Sequence, residues 1–133
     1  MNEELRSLIA YRLKEADDSL EEARVLLREG MSGRAVMNRI YYAMFYAVLA
    51  LLQNKQLGTS KHAGAIALFD REYVKDSTFD VKFSKTLHRA FELRQKGDYM
   101  EQSEIAQADI DEMLPAATDF VAEAKKYLLG NNG

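Results

Sequence analysis

Two arginines break the helical pattern of apolar residues: Arg94 stands on a stripe that calls for burial, Arg39 lies directly beside one, and each has polar company. Asn38 takes the second place in the stripe Ala35, Asn38, Tyr42, Phe45, Leu49, Leu52, with Arg39 directly beside it. Arg94 ends the stripe Phe83, Leu87, Ala90, and Asp98 and Tyr99 follow closely. An arginine keeps its charge in a protein, so a partly buried one needs a carboxylate, carbonyl or phosphate partner. Asp98 is the nearest candidate for Arg94. A satisfied network of Asn38, Arg39, Arg94 and Asp98 would lock two helices together. The same residues could hold a phosphate or an RNA backbone, because planar guanidinium forks bond phosphate bidentately. The pattern is compatible with both uses.

The two histidines differ in setting. Lys61-His62-Ala63-Gly64 falls in the first turn of a short helix, where free backbone N–H groups and a lysine could meet an anion or simply face water. His88 precedes Arg94 by six residues, lies on a different helix face and reads as a surface residue. No His, Glu or Asp spacing matches a zinc site and no glycine-rich phosphate loop is present, so neither metal nor cofactor is expected. Tyr41, Tyr42 and Tyr46 read first as core or interface aromatics.

The elements that must position these residues are all helices. The chain has 133 residues, a single proline and no cysteine, which fits one all-α domain in a reducing, cytoplasmic compartment without disulfides. Ile9, Leu13, Ala16, Leu20, Ala23 and Leu27 mark an amphipathic helix over about 3–28. Gly30 suits a left-handed C-cap, and Ser32 can cap a second helix over about 33–54. The run Ile40 to Leu52 is apolar on every face but too short to span a bilayer, so the bundle or a second subunit must cover it.

Ser60 would cap a short third helix reaching about Tyr73, a fourth would stop at Gly97, and a fifth would begin near Ser103 and continue past Pro115. The expected architecture is an antiparallel up-and-down bundle of about five helices, four long and one short, followed by a frayed tail at 130–133. The net charge of −3 gives no global basic field to attract nucleic acid or membrane. RNA binding would need a local patch.

Three strings in this order resemble the HEPN superfamily: Ala35-Val36-Met37-Asn38-Arg39-Ile40-Tyr41-Tyr42-Ala43-Met44-Phe45-Tyr46, then Lys61-His62-Ala63-Gly64, then Leu93-Arg94-Gln95-Lys96-Gly97-Asp98-Tyr99. The N-R-x-Y-Y-A-x-F and R-x-x-x-D-Y strings look like its small stand-alone prokaryotic branch. The resemblance implies one HEPN-like domain over 1–129, commonly a homodimer, often beside a minimal nucleotidyltransferase in a toxin–antitoxin-like system. It implies binding of nucleotide or RNA, with metal-independent ribonuclease activity or a purely structural adaptor role as alternatives.

The ribonucleases of this superfamily carry an arginine followed, after four to six residues, by a histidine. Arg94 matches the arginine. The places for the histidine hold Tyr99, Met100 and Glu101, so the expected acid–base group is missing there. Tyr99 is instead implied as an acceptor for nucleotidyl transfer, with Asn38, Arg39, Asp98, Lys61 and His62 as binding or network residues.

Overall fold

A four-three alternation of apolar residues produces the first helix, α1 (Glu3–Arg28), which buries Ile9, Leu13, Ala16, Leu20 and Ala23. In the computed structural model, which describes residues 2–99 and 104–130 and only the backbone of Tyr99, Asn2 accepts a hydrogen bond from the Leu5 N–H at 2.7 Å and caps this helix. Gly30 adopts φ +70°, a left-handed turn that reverses the chain. Ser32 then accepts from the Ala35 N–H at 3.1 Å and opens α2 (Gly33–Asn54).

Among the described residues there are five α-helices, completed by α3 (His62–Phe69), α4 (Val81–Tyr99) and α5 (Gln107–Leu129). α3 runs directly into a π-helical turn, Asp70–Val74. α2 is the central element and packs against all four other helices. That accounts for its composition: Ile40, Tyr41, Ala43, Met44, Phe45, Ala47, Val48, Ala50, Leu51 and Leu52 are all buried within one bundle. Its length and hydropathy would suit a membrane span, but most of its surface is covered by the other helices. Of the two covers expected for so apolar a helix, the bundle or a second subunit, the bundle supplies most. Only Tyr42, Tyr46 and Leu49 are left half-buried within that run.

An aromatic cluster fills the end of the bundle remote from the arginines. Phe69, Phe79, Phe83 and Phe120 meet at ring-centroid distances of 5.4 to 6.4 Å, largely edge to face or tilted. Tyr73 joins them, and its hydroxyl donates to the Leu51 carbonyl at 2.5 Å. Burial pushes the Tyr73 phenol up to about 12, so it stays a donor at any physiological pH. Tyr73→Phe is expected to cost about 1 kcal/mol, read as a small fall in the chemical-denaturation midpoint with an unchanged slope.

Several helix ends differ from the sequence expectation. α4 does not stop at Gly97 but continues to Tyr99. Gly97 is buried inside the helix, where a Cβ would lie 3.0 Å from Arg34 Cγ, so its bareness serves close packing rather than a turn. α5 begins at Gln107, after the non-helical Glu104–Ala106, and not near Ser103, which lies outside the described residues. It then runs as one helix through Pro115. Lys61 rather than Ser60 precedes α3, and it makes no side-chain cap bond; Thr59 Oγ1 accepts from the Lys61 N–H at 3.3 Å. The tail at 131–133 is outside the described residues.

Gly33 is a second close approach. A Cβ there would sit 3.0 Å from the Ile105 carbonyl oxygen and 3.3 Å from Ile110 Cδ1. Gly33→Ala should therefore destabilise the fold by about 1 kcal/mol through overpacking, despite alanine's better helix propensity. A melting temperature at or above the parent's would contradict that packing argument.

Candidate functional site

The α2 turn containing Asn38, Arg39, Tyr41 and Tyr42 presents its polar groups where the bundle's apolar contact ends. Arg39 Nε and Nη2 donate to the Asn38 side-chain oxygen at 3.1 and 2.9 Å, and Nη1 donates to Glu22 of α1 at 3.1 Å. The guanidinium lies 5.1 Å from the centre of the Tyr42 ring. Glu22 thus supplies the carboxylate that a half-buried arginine needs. Arg39 and Glu22 also line a cleft of about 280 Å³ between α1 and α2, with Glu15, the buried Ser19 and Tyr46.

Arg94 reaches the same ring from α4. Its guanidinium carbon sits 5.5 Å from the ring centres of both Tyr41 and Tyr42, a cation–π geometry at a partly desolvated place. Because α4 remains helical past Gly97, Asp98 lies one turn beyond Arg94, with Oδ2 2.9 Å from Arg94 Nε. That contact is an ion pair rather than a good hydrogen bond. Nε is buried and its N–H is not aimed at an acceptor among the described residues.

The expected four-residue network is therefore corrected. Asn38 and Arg39 form one unit tied to Glu22, Arg94 and Asp98 form another, and among the described residues the two meet at the Tyr42 ring. Nor does the cluster sit in the apolar interior: all four residues are at its rim, half-buried or exposed. The Arg39 guanidinium is already engaged by Asn38 on its own helix and by Glu22 on α1.

His62 belongs to this constellation, although its position at a helix start also suited plain solvation. Its ring stacks on Phe45 with centroids 4.1 Å apart and planes 5° from parallel. Nδ1 lies 2.8 Å from the Tyr41 hydroxyl oxygen. Its ring also meets the edge or face of Tyr42 at 5.7 Å. Thus His62 and Arg94 rest on the same two tyrosines, from different helices. Lys61, in contrast, is exposed. The Tyr99 side chain lies outside the described residues.

The electrostatics follow from this placement. Burial, and then the nearby Arg94 charge, hold His62 below the ordinary imidazole value, so it is neutral at pH 7. Tyr41 is fully buried, and burial pushes its phenol well above its ordinary value, with Arg94 opposing only in part. It remains a protonated hydroxyl. Because folding lowers the His62 value, the unfolded chain binds a proton more readily. The stability linked to this residue is complete above about pH 6.5, the ordinary imidazole value, and is lost as pH falls toward the folded-state value. His62→Gln should flatten that part of the stability–pH profile in denaturation measured from pH 7.5 to 5.

His88 is exposed, as expected, but not isolated. Its Nε2 lies 2.7 Å from Asp70 Oδ2, and Ser84 Oγ donates to Asp70 Oδ1 at 2.7 Å. This clasp ties the π-helical turn to α4, away from the arginine cluster.

Comparison with known proteins places these residues in a family. The sequence model of the HEPN domain matches residues 9–127. A UPF0332 protein of Thermotoga maritima is 38% identical over 128 residues, covering 96% of each chain. A Methanocaldococcus jannaschii protein named "Putative toxin MJ0142" is 35% identical over 120 residues, covering 90% of this chain and 81% of its own. A second protein of that archaeon, "Putative toxin MJ0605", is 29% identical over 128 residues, covering 96% and 94%.

Proposed function

The chain belongs to the HEPN family, and we propose that it is a toxin-like member that binds the phosphate groups of nucleotide or RNA. One observation carries this reading: Arg39 and Arg94, from separate helices, converge on the half-buried Tyr42 ring. Guanidinium groups around an aromatic platform suit a nucleotide, one contacting phosphate and the other giving the base a stacking surface. The relatives named as toxins support the toxin-like part. In this proposal the protein is a soluble cytoplasmic homodimer of one domain over 1–129, and it acts with a minimal nucleotidyltransferase as partner. The half-buried Tyr46 and Leu49 are the residues of α2 that a second copy would cover.

The test is direct. Fluorescence anisotropy with short single-stranded RNA, and calorimetry with AMP and ATP, should show saturable binding. Mass spectrometry after incubation with ATP and a cognate nucleotidyltransferase should show a nucleotidyl adduct on Tyr99. Absence of binding to RNA and to both nucleotides would sink the proposal.

A second reading, endoribonuclease, is favoured by the position of His62. In this reading α3 supplies the imidazole missing after Arg94 in sequence, since His62 and Arg94 share Tyr41 and Tyr42 as neighbours. With Nδ1–H donating to the Tyr41 oxygen, Nε2 has a free lone pair. It could take the proton from a ribose 2′-hydroxyl as that oxygen attacks phosphorus and the P–O5′ bond breaks. Water would protonate the leaving oxygen, and Arg94 would offset the charge gathering on the phosphoryl oxygens. RNA cleavage lost in both His62→Ala and Arg94→Ala is the expected result. Intact RNA after incubation with the wild-type dimer would remove this reading while leaving the binding proposal standing.

A further inference from the structure

We infer that His62 and Arg94 form the two sides of one oxyanion subsite, and that a phosphate group enters it together with a proton taken up by His62. The inference rests on the phosphate-binding reading and gives it specific atoms. Three geometric facts carry it. His62 and Arg94 share Tyr41 and Tyr42 as a common floor, so their cationic ends belong to one neighbourhood. The stack on Phe45 fixes the imidazole plane. Tyr41 sits 2.8 Å from Nδ1, and its hydroxyl oxygen can accept from Nδ1–H, so the charged ring keeps this bond and presents Nε2–H outward.

Among the described residues, the charges around His62 leave its protonated state without a counter-ion of its own. From α2 it faces the neutral phenols of Tyr41 and Tyr42, the latter shared with Arg39. From α4 it faces Arg94, whose partner Asp98 is already in ion contact with it. On its own helix the neighbour is Lys61, a further cation. In the π-helical turn after α3, Asp70 is held by Ser84 and His88, and Glu72 by Lys55 and Arg71. An incoming oxyanion supplies the missing negative charge. Burial and Arg94, which disfavour the charged ring in the empty site, are then offset by the anion. Binding and protonation must therefore reinforce each other, by thermodynamic linkage.

The probe is sulfate, whose charge is constant over the range of interest, at fixed ionic strength against chloride. The His62 and His88 ring signals are titrated by NMR with and without saturating sulfate, in the wild type and in Arg94→Gln. Sulfate is expected to raise the His62 midpoint by about one unit, leave His88 unmoved, and bind about tenfold tighter at pH 5 than at pH 8. In Arg94→Gln the sulfate-induced shift should vanish. Sulfate binding with an unmoved His62 midpoint, or an equal shift in Arg94→Gln, overturns the inference.

A deoxydinucleotide phosphodiester, run in the same samples, separates subsite from phosphate binding in general. If it binds in an Arg94-dependent way while His62 titrates unchanged, the inference fails and the phosphate-binding reading stands. If neither sulfate, the dinucleotide nor RNA binds, both fall.

Discussion

Arg94→Gln is expected to weaken binding of RNA or nucleotide by about 30-fold or more, equivalent to roughly 2 kcal/mol or greater, as when one partner of a desolvated charged contact is removed. The substitution keeps a planar polar end and much of the packing over Tyr41 and Tyr42 but removes the charge. Burial is the main cause that holds down imidazole protonation at His62, and the Arg94 charge beside it adds to that. The same variant should therefore move the His62 titration toward its ordinary value, an effect that loss of packing alone would not give. Arg39→Gln should be milder, because Arg39 is already matched by Glu22 and Asn38. Equal losses from the two substitutions would mean that the partnering of Arg39 does not restrain it. Unchanged affinity in Arg94→Gln would remove Arg94 from the site.

The largest loss of stability is expected at the opposite end of the bundle. Phe69 is completely buried at the junction of α3 and the π-helical turn, and its ring meets Phe79, Phe120 and Tyr73. Phe69→Ala should cost about 3–5 kcal/mol, from lost burial plus the void left among rigid rings. For a chain of this size that lowers the melting temperature by ~10 °C or more. Phe69→Leu, which leaves a smaller void, should lose clearly less. Calorimetry on the two variants distinguishes a cavity cost from a general intolerance at this site, for which both would fall equally.

Much of the fold was legible because its signals are local. The end of α1 and the start of α2 follow from Gly30 and Ser32, whose capping chemistry acts within three or four residues; the Asn2 cap of α1 emerged only in the structure. The fold class follows from the apolar stripes, and the antiparallel pairing of the first two helices from the short loop between them. Gly97 misled because glycine has two uses, as a helix terminator and as a point of close approach, and only the position of Arg34 reveals which applies.

The arginine cluster was legible in half. Polar residues interrupting an apolar stripe drew attention to Asn38, Arg39, Arg94 and Asp98, which the structure places on two facing helix segments rather than in one network. Their partners were not readable, since Glu22 and Tyr42 reach Arg39 and Arg94 through helix packing. The company of His62 was invisible for the same reason. Nothing near Lys61-His62-Ala63-Gly64 announces that α3 will lay its first ring on Phe45, because the loop after α2 and the turn after Phe69 set that approach.

That turn has a further consequence. A π-helical stretch such as Asp70–Val74 contains one residue more than an α-helical ladder would use, seen here in the Lys75 N–H bonding back to the Asp70 carbonyl at 2.9 Å. Excising one residue would restore a regular ladder and rotate the helix ahead of it by about 100° relative to the chain beyond. Phe69 and Tyr73 could not then both stay in the core with His62 still lying on Phe45. The distance along the chain from imidazole to buried phenol is thus a fixed gauge. A homologous chain one residue shorter at this point would need a different group to stand beside its Arg94 equivalent.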